Sequence, residues 1–272
     1  GNFIGTNVTG TAAISNRYGV RLTGSAGGLI GGADIDDGDL DGFAPAGNLI
    51  SGNEVFGIWL AGSGFAIQGN LIGTDVSGAA PLGNGGSGID GLTSFNNASI
   101  GGIAPLAGNT IAFNGFALGG DGVRVLAGSG NSILGNSMFR NAELGIDLRR
   151  LLFENAPGVT PNDPDDADSG TNSLQNFPVP SSATVSDAML NVQYAVPSSI
   201  SNSAYPLRIE FFKADADRQE GQTFLGFDNY AANEAGLTKR FFFTPVANLV
   251  PGDRIVATAT DGQNNTSEFS GS

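Results

Sequence analysis

Short apolar segments alternate with glycine, asparagine and serine along the first 150 residues, without the 3.6-residue period of an amphipathic helix. Three kinds of segment recur in a fixed order. The first follows a Gly-Asn pair, the second has the form Gly-[Val/Ile]-x-[Leu/Val], and the third precedes the next Gly-Asn pair. Segments of the second kind are YGVRL (18–22), FGIWL (56–60), SGIDG (87–91), DGVRV (121–125) and LGIDL (144–148). This pattern predicts short strands joined by tight turns.

The order of the three segments repeats at least four times, and the shortest interval, from Asn48 to Asn70, is 22 residues. A period of about 20 to 25 residues without helical periodicity is typical of a β-solenoid. Repeats of such a protein stack at the strand spacing of roughly 4.8 Å, so the asparagines of successive Gly-Asn pairs should lie on one another. The predicted structural column is Asn2, Asn48, Asn70, Asn109 and Asn136.

The repeats resemble those of right-handed parallel β-helix proteins of bacterial surfaces and secretions, through Gly-Asn-x-Ile, Gly-[Val/Ile]-x-[Leu/Val] and LIGTDVSG (71–78). NDPDDADSGTNSLQNFPV (162–179), EGQTFLG (220–226) and ATATDGQNNTSEFS (257–270) resemble the Ig-like module that ends many such chains. The resemblance implies an all-β chain, a right-handed parallel β-helix of about five coils with three strands per coil, followed by an antiparallel Ig-like β-sandwich. It does not identify a function, because this fold carries lyases, glycosidases, epimerases, adhesins and phage tailspikes.

The repeat stops after Leu148, and the sequence predicts three regions. These are a parallel β-helix at 1–150, an acidic, proline-containing connector at 151–175 and an Ig-like β-sandwich at 176–272. Within the last region, antiparallel strands are predicted at 189–196, 207–212, 224–230, 238–244 and 254–260. Because the repeat has already begun at Gly1, we expect the chain to be a fragment or a processed form of a longer protein.

The composition restricts the partners and the chemistry of the chain. Its 272 residues include 12 Lys and Arg against 26 Asp and Glu, a formal charge of −14, which argues against a nucleic-acid partner. The sequence has no cysteine and no histidine, which excludes disulfides, thiolate metal sites and the commonest general base. No stretch of 18 consecutive apolar residues occurs, so no membrane span is expected.

Alternation within the second segment points its branched side chains inward and leaves one outward residue in each repeat. This column, termed the outward ladder, is Arg21, Trp59, Asp90, Arg124 and Asp147. Its members should lie about 5 Å apart. A tryptophan for stacking beside charged groups that bind hydroxyls or uronates would form a carbohydrate-binding groove. The alternative is a solvated ladder of charges that fixes the register through opposite-charge pairs.

Asp90 and Asp147 are the candidates for a catalytic pair, two repeats and roughly 10 Å apart, near the upper limit for an inverting glycosidase. The intervening Arg124 should lower both pKa values, whereas a general acid needs a raised pKa. A polysaccharide lyase would need a Lys, His, Tyr or Arg base beside calcium, and residues 1–150 contain no lysine or histidine. The sequence therefore leans towards a protein without enzymatic activity.

Two acidic segments predict Ca²⁺ sites. The insertion ADIDDGDLDG (33–42) places Asp37, Asp39 and Asp41 as at the start of an EF-hand loop, although the twelfth position is Asn48 rather than Glu. The predicted domain junction carries Asp163, Asp165, Asp166 and Asp168. Crowded carboxylates repel one another unless a cation neutralises them. The alternative is a solvated acidic loop that keeps the surface charged.

The sequence favours a non-enzymatic extracellular structural or adhesive stalk module, secreted or displayed on a bacterial surface and stiffened by Ca²⁺. One alternative is a carbohydrate-binding or carbohydrate-active protein, of the lyase, glycosidase or epimerase kind, that holds a polysaccharide or cell-surface glycan on the outward ladder. Another is a filament subunit that associates end to end through its strand edges.

Overall fold

A computed structural model of the chain describes residues 1–32, 47–149, 158–216 and 220–271. These residues form an all-β fold, with parallel sheets in the first half and separate antiparallel sheets in the second. The strands of the first half are β1 (Phe3–Ile4), β2 (Tyr18–Gly31), β3 (Leu49–Ile50), β4 (Phe56–Gln68), β5 (Leu71–Ile72), β6 (Ile89–Gly91), β7 (Ser99–Gly101), β8 (Thr110–Ala112), β9 (Val123–Val125), β10 (Ser132–Leu134), β11 (Ser137–Phe139) and β12 (Ile146–Leu148).

The strands of the second half are β13 (Val179–Ser186), β14 (Met189–Ala195), β15 (Leu207–Ala214), β16 (Gly221–Tyr230), β17 (Lys239–Phe243) and β18 (Ile255–Thr260). Short 3-10 turns occupy Pro164–Asp166, Thr171–Leu174 and Ala232–Glu234. In the described ranges, no helix has the length and apolar character needed to cross a membrane.

Strand pairing in the first half brings corresponding positions of successive repeats together. One parallel sheet has the order β1-β3-β5-β8-β11 and contains the segments that follow the Gly-Asn pairs. Along it, Ile4, Ile50, Ile72, Ile111 and Met138 are successive partners. The second parallel sheet has the order β10-β7-β4-β6-β9-β12, and β2 also pairs with β4.

Strands β2 and β4 differ from the prediction of three separate short strands in each repeat. In the first two repeats the second and third segments form one continuous strand, of 14 residues in β2 and 13 in β4. The glycine-rich links 23–27 and 61–63 pair with each other across a single bulge near Gly24, which has a φ of +70°. The pairing of β2 with β4 therefore continues through these links, whereas the longer link 92–98 separates β6 from β7.

The asparagines of the Gly-Asn pairs form a hydrogen-bonded column. The side-chain carbonyl of each later member accepts hydrogen bonds from the backbone N–H and the Nδ2 of the member before it, at 2.9–3.0 Å. The Nδ2 atoms also donate to backbone carbonyls, for example from Asn70 to Ile30 at 2.9 Å. Asn48, Asn70, Asn109 and Asn136 are buried, so these bonds satisfy groups that water does not reach.

A second asparagine column, which the sequence analysis missed, runs beside the first. It consists of Asn16, Asn53, Asn84, Asn114 and Asn141, joined by the same two bonds at 2.8–3.4 Å. The sequence carries a signal for it. The second asparagine follows the first by five residues in three repeats, and by fourteen in the two repeats that contain the long loops 6–17 and 74–86.

Two clusters of apolar side chains hold the fold together. The first fills the space inside the parallel sheets with fully buried residues such as Ile58 and Ile100, and it extends to Phe212, Val256 and Phe269 of the second half. The second lies between the antiparallel sheets β13-β14-β17 and β16-β15-β18. Because the first cluster crosses between the halves, they share part of one core.

Candidate functional site

The outward ladder is assembled by strand register. Arg21 of β2, Trp59 of β4, Asp90 of β6, Arg124 of β9 and Asp147 of β12 are successive direct partners in the second parallel sheet. The residues on either side of the four later members, such as Ile58 and Leu60 around Trp59, are buried and hold the strand in place, whereas the neighbours of Arg21 are partly buried. The ladder has an aromatic end at β2 and β4 and a charged end at β6, β9 and β12.

At the aromatic end, three rings stack along the sheet. The Tyr18 ring centroid lies 5.7 Å from that of Trp59 and 6.1 Å from that of Phe56. The Arg21 guanidinium carbon lies 4.3 Å from the Trp59 ring centroid, and that of Arg17 lies 5.4 Å from the Tyr18 centroid. Both arginines are exposed, and within the described residues neither forms an ion pair. These three rings with Arg17 and Arg21 are termed the aromatic–arginine patch, which places two exposed cations on an acidic protein.

At the charged end, the carboxylates are buried rather than solvated. Asp90 has no exposed surface, and the Nε of Arg124 donates a hydrogen bond of 2.7 Å to its Oδ1. Asp147 is 7% exposed and forms its ion pair with Arg149. Arg124 therefore pairs with Asp90 alone, not with both carboxylates as its place between them predicts.

The pKa of Asp90 is raised, so the expectation of a lowered pKa is wrong for this residue, although Arg124 does act in the lowering direction. Burial disfavours the charged carboxylate, and this effect exceeds the opposing effect of the Arg124 cation. The sequence pattern placed Asp90 on an outward position, but it could not show that the surrounding side chains would remove it from water.

Asp121 is a buried acidic residue that the sequence analysis did not single out. It is 1% exposed, and its Oδ1 accepts a hydrogen bond of 3.0 Å from the backbone N–H of Leu144. Burial, reinforced by the negative charge of Asp147, raises the pKa of Asp121 to about 8. Its signal in the sequence is a carboxylate directly before the glycine of the second segment, a position that other repeats fill with Tyr, Phe, Ser or Leu.

The arrangement suits binding better than acid–base chemistry. A raised pKa is what a general acid needs, but Asp90 and Asp121 are 0% and 1% exposed and lie beneath the surface. A substrate atom must come within hydrogen-bond distance of a general acid, and the surface does not allow that at either residue. The groups that a ligand can contact are the exposed arginines and the partly exposed rings of the aromatic–arginine patch.

The acidic segment at the predicted junction is held by hydrogen bonds. The Asp163 carboxylate accepts from the backbone N–H groups of Ala167 and Asp168 at 3.0 and 3.1 Å. Asp166 accepts from the Asn176 N–H at 2.7 Å and from the Ser203 hydroxyl at 2.6 Å, and burial raises its pKa. These hydrogen bonds hold both carboxylates in place against neighbouring groups of the chain.

The predicted Ca²⁺ sites therefore stay predictions. Across the parts of the chain that the structure describes, no three acidic, histidine or cysteine side chains converge as a metal site would require. At Asp165, the backbone carbonyl accepts a hydrogen bond of 2.9 Å from the Asn202 side chain. Asp37, Asp39 and Asp41 lie outside the described residues.

Carboxylates of the second half meet the end of the last repeat. Glu220 accepts from both the backbone N–H and the Nδ2 of Asn141, at 2.9 and 2.6 Å, and so occupies the place of the next asparagine in the second column. Glu268 accepts from the N–H groups of Leu148 and Thr160 at 2.8 and 2.6 Å. These residues are termed the junction carboxylates.

Both junction carboxylates are buried, at 2% exposure for Glu220 and 3% for Glu268. Burial raises the pKa of each to about 8. The negative charge of nearby Asp215 also raises the pKa of Glu220, and that of Asp147 raises the pKa of Glu268. Two further acids of the second half also accept hydrogen bonds from backbone N–H groups of the repeat region. Glu210 accepts from the Gly135 N–H at 2.9 Å, and Asp215 accepts from the Arg140 N–H at 3.2 Å.

Comparison of the chain with protein-family models, with curated proteins and with solved structures gave no match. The interpretation of both sites rests on their geometry and chemistry.

Proposed function

We propose that the two parallel sheets are faces of one right-handed parallel β-helix of about five coils with three strands per coil, and that residues 176–272 form an Ig-like β-sandwich. Support for the β-helix comes from the pairing of corresponding residues in successive repeats and from the two asparagine columns. Support for the sandwich comes from the single apolar cluster between the antiparallel sheets.

The chain then serves as a non-enzymatic structural or adhesive stalk module of a secreted or surface protein of bacteria. The observation that carries this proposal is the continuity of the second asparagine column into Glu220. Because the second half supplies the acceptors that a further repeat would supply, it caps the open end of the helix. A rod capped at this end resists fraying there, which suits a load-bearing role.

Pulling on the two ends of single molecules tests the stalk. We expect one cooperative rupture of the repeat region, at a force that Glu220→Ala lowers and the exposed control Glu54→Ala leaves unchanged. Stepwise unwinding of single repeats at low force in the wild type would contradict the proposal.

The absence of enzymatic activity is tested with neutral and acidic polysaccharides. After incubation with the protein, chain length and unsaturated ends should be unchanged. Turnover that Asp90→Asn abolishes and Asp187→Asn retains would overturn this part of the proposal.

Ca²⁺ stiffening by Asp163, Asp165, Asp166 and Asp168 belongs to the same proposal and rests on their crowding in one segment. Bound Ca²⁺ raises the unfolding midpoint by the mass-action effect of a ligand that prefers the folded state. We expect a higher midpoint in excess Ca²⁺ than in EDTA, and equal midpoints would count against the ion.

The aromatic–arginine patch favours a second candidate function, the binding of an acidic polysaccharide. Its rings offer stacking surfaces, and Arg17 and Arg21 offer charges to a uronate. Trp59 is the only tryptophan, so its fluorescence reports directly on this patch.

Titration with polygalacturonate should change the Trp59 emission saturably, and Arg21→Ala should weaken binding roughly tenfold, the equivalent of about 1.4 kcal/mol. Arg240→Ala, an exposed arginine on β17, is the matched control. An unchanged emission, or an equal loss of affinity in both variants, would remove this candidate.

A further inference from the structure

Strand β13 forms an open edge of its sheet. It is eight residues long and pairs only with β14, and residues 181–189 are all exposed. No described residue forms a backbone hydrogen bond to the other edge of β13. A strand edge of this kind presents a row of N–H and C=O groups that fits another extended chain.

The face of β13 that should be buried is also exposed. Ala183 lies opposite Val192 and Val185 lies opposite Leu190, and these partners are 0% and 1% exposed in the core of the second half. Directly opposite residues of an antiparallel pair point to the same face of the sheet. Val185 therefore points to the core side, yet it is 50% exposed. The apolar face therefore continues onto Ala183 and Val185, which are exposed.

The other edges of the antiparallel sheets are covered or charged. The backbone of β18 pairs with the segment 266–270 through Ser267 and Ser270. Strand β16 packs against β11 of the repeat region. Strand β17 carries the exposed Arg240, whose charge discourages edge pairing with a second copy, whereas Lys239 is paired with Asp228 and Glu234. Strand β13, with the sequence VPSSATVS, carries no charge, and its Pro180 and the adjoining bulge lie at its beginning, before residues 182–186.

We propose that β13 is a self-association surface on which a second copy of this chain pairs its own β13 in antiparallel orientation about a two-fold axis. The occupant is a second copy because the contact is self-complementary, and because β13 brings no like charges together although each chain carries −14. An axis at Thr184 places the two Thr184 residues opposite each other and Ala183 of each chain opposite Val185 of the other.

This pairing joins two three-stranded sheets into one of six strands and places the exposed apolar side chains side by side. It is lateral and closed at two copies, unlike end-to-end growth through the repeats. It depends on neither the β-helix nor the stalk function, because all the residues involved lie in β13 and β14.

Single-cysteine variants test the register, and the natural chain has no cysteine to interfere. Under mild oxidation Thr184→Cys should form a covalent dimer quickly, because directly opposite strand residues lie within disulfide distance. Arg240→Cys on the exposed edge of β17 is the matched control and should cross-link at least tenfold more slowly. Equal rates for the two variants would overturn the proposal.

Sedimentation equilibrium of the chain without cysteine provides the second measurement. We expect a monomer–dimer equilibrium at concentrations up to millimolar, with the dimer lost in Ala183→Lys, which places a charge on the inner face of the pair. A wild-type chain that stays monomeric, grows beyond a dimer, or dimerises equally well as Ala183→Lys would contradict the pairing.

Discussion

At the scale of single residues, asparagine joins the repeats because its side chain carries both an acceptor and two donors. The Asn70 carbonyl accepts from Asn48, while its amide donates to Asn109 and to the backbone carbonyls of Ile30 and Gln68. Aspartate would lack the donors, and serine would lack the reach. Each asparagine in the column therefore satisfies groups in two neighbouring repeats at once.

Replacing Asn70 with alanine should leave several of these buried groups without partners. We expect a loss of about 3 kcal/mol in the free energy of unfolding, because each unsatisfied buried group costs roughly 1–3 kcal/mol. Asn233→Ala, at an exposed position, should change stability by less than about 0.5 kcal/mol. Denaturant unfolding measures both, and similar losses would show that the column does not stabilise the fold.

The first asparagine column could be predicted because a glycine marks each member, whereas the second lacks a uniform neighbour. Asn16 follows Ser15 and Asn141 follows Arg140, so only the distance from the first column reveals them. The burial of Asp90 could not be predicted either. Strand alternation gives the direction of a side chain, but its exposure depends on neighbours from other repeats.

At the scale of elements, opposite charges fix β6 to β9. The ion pair of Asp90 and Arg124 joins direct cross-strand partners, and the carboxylate side is fully buried. Removing one member of a buried pair leaves an uncompensated charge, which costs more than the pair contributes when intact.

Arg124→Met should therefore reduce the unfolding free energy by about 3–5 kcal/mol. The double variant with Asp90→Asn should lose less than the sum of the two single losses, with a coupling of roughly 1–3 kcal/mol. Lys213→Met, which breaks the more exposed pair with Asp253, should cost less than about 1 kcal/mol. Additive losses at Asp90 and Arg124 would show that the two side chains do not interact.

The apolar, β-branched segments made most strands predictable, including the five predicted in the second half, each of which overlaps an observed strand. Strand β13 was missed because Pro180 and three serines give VPSSATVS the composition of a loop. Its strand conformation comes from pairing with β14, which local sequence does not encode. For the same reason, the sequence did not predict that two segments join into one strand in β2 and in β4. That joining depends on pairing between the glycine-rich links 23–27 and 61–63.

At the scale of the whole molecule, the junction carboxylates tie the two halves together. Glu220 and Glu268 accept backbone N–H groups that would otherwise be unsatisfied at the last repeat. Their burial couples the stability of the junction to pH.

Unfolded glutamate loses its proton near pH 4.5, whereas Glu220 and Glu268 keep theirs to a pKa of about 8. Their stabilisation is complete below pH 4.5 and is lost as the pH rises towards 8, by up to about 1.4 kcal/mol per pH unit for each group. Denaturant unfolding at pH 5, 6.5 and 8 should show this decline. Glu220→Gln should make it shallower, and the exposed control Glu54→Gln should not; equal slopes in the two variants would refute the coupling.

Hydrogen exchange at the backbone amides of Asn48, Asn70 and Asn109 tests most directly whether asparagine columns join the repeats. We predict that these amides exchange only through global unfolding, and that Asn109→Ala selectively accelerates the amide of Asn70, whose acceptor it removes. Exchange in the wild type as fast as that of the exposed loop amide of Thr9 would contradict the account.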